Sequence, residues 1–258
     1  FDGWDGLYAD SPAIGKWLND VYRPKADAAL KAGGHIPGPL IFARDESDMS
    51  KGVDFNAFAP RFSHGYGDLR RLPTVLVENH SLKPYRQRVL GTYALLEATL
   101  KALGSNGKDL KAAIKADRAL RPATVDANWQ TAAKPIATWD FLTIQSEQVA
   151  SPASGARITR FNGKPGPTVK TPVYGSEPRL KLSVPKAYWV PSTKPDVIAR
   201  LKAHGVKLET IKKAQAVAVD MVRLTGFKAA IPSEGLVPIS ATGLILEKRT
   251  VTFPPGSS

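Results

Sequence analysis

Arg61-Phe-Ser-His-Gly-Tyr-Gly-Asp-Leu-Arg-Arg-Leu-Pro-Thr-Val-Leu-Val-Glu-Asn-His-Ser-Leu-Lys-Pro-Tyr-Arg86 is the stretch on which the fold turns. Within it, Pro73 to Glu78 holds Val75, Leu76 and Val77, a short continuous apolar run that predicts a buried strand. A helix is expected to begin a few residues later, after Ser81 or Lys83, with Pro84 near its first turn. The unit predicted is strand, tight loop, long helix, with one carboxylate, Glu78, at the strand end. A charge in that place is costly unless something satisfies it or uses it.

Working outward, Val89, Tyr93, Leu96, Leu100 and Leu103 recur at alternating steps of four and three, giving that helix one apolar face. Gly104 is expected to end it. Upstream, residues 10–31 read as a helix, with Asp10 or Ser11 as cap and Ile14, Trp17, Leu18 and Val21 as its apolar stripe. Pro24 should bend it and Gly33-Gly34 should stop it. Residues 35–72 are rich in Gly, Pro and Asp and read as a long loop, with a short strand within Ile36 to Phe42.

Ser105-Asn106-Gly107 is the predicted domain boundary, followed by a basic helix from Asp109 to Leu120. Beyond Pro122 the pattern predicts short strands at Ile136–Ile144, Arg157–Phe161, Leu180–Val184 and Ala214–Leu224. A helix from Pro195 to His204, set between Tyr188-Trp189-Val190 and Val206-Lys207-Leu208, suggests a small βαβ unit. The expected fold class is α/β: a partial sheet flanked by helices over residues 1–104, then a β-rich α+β domain over residues 105–258.

At 258 residues, 43% apolar and 23% charged, the chain can bury a sizeable core. With no cysteine, disulfides, cysteine nucleophiles and cysteine metal sites are excluded. The net charge of +13 is unevenly placed: residues 1–104 hold 13 Lys+Arg against 12 Asp+Glu, and residues 105–258 hold 23 against 11. A basic half favours anionic partners in general. Its lysines are scattered, no nucleic-acid-binding motif is present and aromatics do not interleave with them, which argues against nucleic acid. No stretch reaches the ~18 apolar residues of a membrane span, so no integral membrane segment is expected. Nothing in the sequence sets an oligomeric state.

Glu78 and His80 stand two apart, so an extended strand points them to one side. His64 and Tyr66, in the preceding glycine-flanked stretch, could reach the same region. A carboxylate beside imidazoles can serve as a general base. It can equally be a structural carboxylate paired with Arg70, Arg71 or Arg86. His64, Glu78 and His80 are of the types that bind zinc, without a spacing that requires it. His35 falls in a Gly-Gly-His-Ile-Pro turn, and His204 at a helix end reads as a cap. Gly-x-Ser-x-Gly, P-loop and dinucleotide glycine patterns are missing. The pair Tyr188-Trp189 reads as domain core rather than a sugar platform.

The segment Ser63 to Arg86 resembles bacterial members of the zinc metallocarboxypeptidase family, in which a Gly-Tyr-x-x-Leu-Arg loop precedes an apolar strand ending Leu-Val-Glu-x-His and a Lys-Pro-Tyr helix start. Trp4 to Gly15 is similar to a stretch upstream in these proteins, and Tyr188-Trp-Val-Pro191 with Ile198 to Val206 to their accessory region. The resemblance implies peptide hydrolysis with Glu78 as the general base for a zinc-bound water, and Tyr66, Arg70, His64 and His80 near the substrate. It implies zinc as cofactor, a peptide substrate and a secreted or periplasmic location. The chain departs from the family in that none of its four histidines has Glu three residues on, so no metal ligand is assigned within it. The expectation is a C-terminal portion of the catalytic domain followed by an accessory domain, inactive by itself. The alternative is a catalytically inactive peptide- or envelope-binding module on the same fold.

Overall fold

The computed structural model describes residues 9–55, 59–80 and 83–258. It is a mixed α/β protein that divides into two compact units, one ending at Val184 and the other spanning Pro185–Ser258.

The first unit is centred on a helical core. Helix α1 (Pro12–Trp17) passes into a π-helical turn over Leu18–Tyr22 and then into α2 (Arg23–Ala32). The irregular turn has a chemical cause: Pro24 has no N–H for the carbonyl of Asp20, and the N–H of Arg23 reaches back to Leu18 instead. Gly33-Gly34 ends the run as expected, with the His35 N–H donating to the Leu30 carbonyl at 2.8 Å and Gly34 to Lys31 at 3.0 Å. Ile14, Trp17, Leu18, Tyr22, Ala26 and Leu30 pack on Leu95, Ala102 and Leu110 of α4 (Tyr85–Ala119).

Helix α4 joins two helices across a kink at Asn106, φ −127°, so the break expected at Ser105-Asn106-Gly107 and the basic helix expected after it are both present within one continuous run of 35 residues. The Lys25 ammonium reaches the Asn106 side-chain oxygen at 2.5 Å at the kink. The apolar stripe departs from expectation by lying on the other side. Gly91, Leu95, Ala98 and Ala102 face the core, because their small side chains let α1 and α2 approach. Tyr93 and Leu100 of the expected stripe are 66% and 71% exposed.

One buried charge ties the two ends of this core together. Asp117, on the last turn of α4, accepts hydrogen bonds from the backbone N–H groups of Ala13 at 3.0 Å and Ile14 at 2.7 Å. It thereby caps the N-terminus of α1, and its charge opposes the positive end of that helix.

Two-residue strands β1 (Phe42–Ala43) and β2 (Val53–Asp54) join β4 (Ala137–Ala150) and β5 (Arg157–Tyr174) in a sheet ordered β1-β2-β5-β4. Only β2 and β5 run parallel. A separate antiparallel pair joins β3 (Thr124–Thr131) to β6 (Ser176–Ser183). Strands predicted to be short are long ribbons, because Gly163, Pro165, Gly166 and Pro167 lie in β5 where register shifts at Leu142/Ile144 and Ile144/Ser146 accommodate them. The predicted strand at Pro73–Glu78 forms no ladder; only Leu76 makes an isolated bridge.

The second unit carries α5 (Pro195–Ala203), close to its expected span with His204 as C-cap, and the hairpin β7 (Gln215–Ala229) with β8 (Ile239–Phe253). No βαβ unit forms: Tyr188–Val190 and Val206–Leu208 are not strands. Instead Val190 exchanges two backbone hydrogen bonds with Ser258, at 2.6 and 2.9 Å, and Trp189 lies against Phe253 with ring centroids 5.1 Å apart. Across the hairpin, Thr225 faces Gly243 and Thr242 faces Gly226; a Cβ on either glycine would sit 2.2 Å from the opposing hydroxyl. Among the described residues no helix is long and apolar enough to cross a membrane.

Candidate functional site

The stretch expected to be a glycine-flanked loop contains a helix, α3 (Ser63–Leu69), which holds His64 and Tyr66. Gly65 and Gly67 mask it in the sequence, since each lowers helix propensity by ~1 kcal/mol relative to Ala. Gly67 is there for a close approach: a Cβ at that position would lie 2.1 Å from the Thr74 hydroxyl and 2.5 Å from its Cβ. Overpacking of this kind costs about 1–3 kcal/mol and outweighs the propensity gained. Gly67→Ala is therefore expected to lower the urea midpoint; an unchanged or raised midpoint would show that the 72–74 segment yields freely.

His64 is buried and stacks on Phe62 with centroids 6.2 Å apart. Burial holds its pKa below the ordinary 6.5. Tyr66, two positions along, leaves the helix about 200° around from His64, so the two side chains diverge. Arg70 is the exposed C-cap of the helix. Arg71, in a left-handed conformation at φ 55°, sends its guanidinium to the carbonyls of Asp10 at 3.4 Å and Leu120 at 3.3 Å.

A carboxylate that sequence reasoning missed secures α3. Asp68 accepts a hydrogen bond from the Ser11 hydroxyl and another from the Asp10 N–H at 3.3 Å. Its pKa is raised, with burial as the main cause and the Ser11 bond opposing it; burial likewise raises Asp10, with Arg71 pulling it back. No sequence signal singles out Asp68, because its partners lie 57 and 58 residues away.

These groups give the fold opposed responses to acid. Below about pH 6.5 the unfolded chain protonates its His64 while the buried imidazole resists, so stability falls as pH falls through that value. Asp10 and Asp68 act the other way, stabilising below 3.8 and losing that contribution as pH rises through their raised values. In His64→Gln the stability lost between pH 7 and pH 5 should shrink, with Asp10 and Asp68 common to both proteins. An identical loss in parent and variant, read from urea midpoints, would exclude His64 as its source.

Glu78 sits in the extended segment between α3 and α4 and is exposed, so the desolvation cost expected for it does not arise. Among the described residues it forms no ion pair with Arg70, Arg71 or Arg86. Asn79 is anchored instead, its side-chain N–H donating to the Arg88 carbonyl at 3.0 Å. His80 is exposed and borders a groove of about 1140 Å³; of the five candidate residues it alone lines this groove. His64 and Glu78 differ sharply in burial, one inside α3's packing and the other in solvent.

Among the described residues no three of His, Asp or Glu come together to hold a metal ion. Among the described residues His64, Glu78 and His80 do not assemble into a zinc centre. What the segment offers by itself is an exposed carboxylate two residues before an exposed imidazole. No family model, no curated protein and no solved structure matches the chain.

Proposed function

We propose that the complete protein hydrolyses peptides in the manner of a metallocarboxypeptidase, with Glu78 taking the proton from the attacking water. The observation that supports this reading is the state of Glu78 itself: an exposed carboxylate with no ion pair among the described residues, within a segment that resembles the family. A general base needs that accessibility, whereas a structural carboxylate would be paired. Zinc enters through the resemblance, and its ligands would be residues of the complete protein outside this chain.

The test is cleavage by the complete protein of a matched peptide pair, one with a free C-terminal carboxylate and one amidated. Release of the last residue from the free form alone supports the reading, and release from neither ends it. A second reading, a non-catalytic peptide-binding module on the same fold, is favoured by the groove beside His80.

A further inference from the structure

The groove beside His80 combines an apolar floor with a local charge opposite to that of the whole protein. Its floor is built from Phe42 of β1, Phe141, Leu142 and Ile144 of β4, and Phe161 and Val169 of β5. Phe42, Leu142, Ile144 and Phe161 are each about half exposed, at 49%, 49%, 53% and 47%. Apolar groups at that exposure over a contiguous concave surface mark a binding site more often than an idle face. The two register shifts in β4–β5 fall at Leu142, Ile144 and Ser146, within the floor, and irregularities of this kind re-aim side chains next to sites.

Among the described residues the Asp, Glu, Lys and Arg side chains lining the groove are Glu46, Asp48 and Glu147, with no lysine or arginine, although the chain carries 36 Lys+Arg against 23 Asp+Glu. Glu147 is held by Arg160 at 2.7 Å, and Asp48 accepts from the Ser50 N–H at 3.0 Å and from its hydroxyl. Glu46 is exposed and forms no ion pair among the described residues. Charge is screened over ~8 Å at physiological salt, so a ligand in the groove meets Glu46 and Asp48 at short range, with Arg160 offsetting Glu147 and Lys51 held by Asp45 at the margin.

We infer that this groove takes a peptide segment in which a lysine or arginine stands beside aromatic or aliphatic side chains. The apolar side chains occupy the floor and the cation lies against Glu46 and Asp48. A cavity above 1000 Å³ exceeds what a single side chain fills and suits several residues of extended chain. Binding of this kind needs neither Glu78 nor a metal, so it stands or falls separately from hydrolysis.

The experiment is fluorescence anisotropy at physiological salt with two labelled hexapeptides, one alternating Lys and Phe and the other alternating Glu and Phe. The Lys-Phe peptide should bind at least about tenfold more tightly, a difference of roughly 1.4 kcal/mol. Glu46→Lys should weaken it by about tenfold without altering the circular dichroism spectrum, since Glu46 is exposed. Phe161→Ser should weaken both peptides. Equal affinities, tighter binding of the Glu-Phe peptide through the overall positive charge, no binding of either, or indifference to both substitutions would each overturn the inference.

Discussion

Replacing Asp117 by alanine is expected to lower stability by about 3 kcal/mol, because each buried N–H left without an acceptor costs ~1–3 kcal/mol and two are orphaned at once. Asp117 is 1% exposed, and its two oxygens are the acceptors for the Ala13 and Ile14 N–H groups. Ser11, the residue in sequence position to cap α1, does not substitute, since its hydroxyl is committed to Asp68. Asp117→Asn retains one of the two acceptor oxygens and leaves a single N–H facing its NH2 group, so it should lose about 1–3 kcal/mol, less than the alanine variant. Urea denaturation of the three proteins separates the cases. An alanine variant within about 0.5 kcal/mol of its parent, the range of an ordinary surface change, would remove Asp117 from the list of structural anchors.

Glu78→Gln has the larger expected effect on activity and almost none on the fold. In the complete protein, loss of a general base should reduce kcat by about 10²–10⁴-fold. The same substitution should leave the urea midpoint unchanged, because the carboxylate is exposed and makes no ion pair among the described residues. The two readouts move in opposite directions under the rival assignment. A purely structural carboxylate would show full turnover and reduced stability, and that pattern would end the catalytic assignment of Glu78.

The helices were legible where a local signal had nothing to compete with. Gly33-Gly34 stops α2, and α5 begins at Pro195 as its periodicity indicated, with His204 at its end. The failures have separate physical causes. The turn at Asn106 was legible, but the run of α4 past it accompanies a tertiary contact, Lys25 reaching across from α2, which no window around residue 106 contains. Helix α3 was hidden because Gly67 serves the close passage of Thr74 rather than helix propensity. The apolar steps from Val89 to Leu103 marked a real stripe, but α4 has a second face of Gly91, Ala98 and Ala102, and partners able to approach closely chose that one. Strand β8 escaped notice although Leu244, Ile245 and Leu246 are apolar, since a continuous run does not alternate.

Less of the candidate site was legible. Glu78 was singled out for a burial cost that it does not bear, and what recommends it is accessibility. His80 borders a groove whose walls come from residues 41–49 and 141–169, a combination that only the paired register of β4 and β5 assembles.

The β7–β8 hairpin exposes apolar residues from both of its faces, among them Phe227, Ile239 and Leu246, so hydrophobic burial gives it little means of choosing one alignment of its strands over another. The two threonine–glycine pairs supply that choice. Sliding one strand by a single residue in one direction would set Thr225 against Thr242 and crowd that rung, and sliding it in the other would set Gly226 against Gly243 and empty one. Mispaired forms of the ribbon are thereby disfavoured from within, and the correct alignment needs no neighbouring layer to select it.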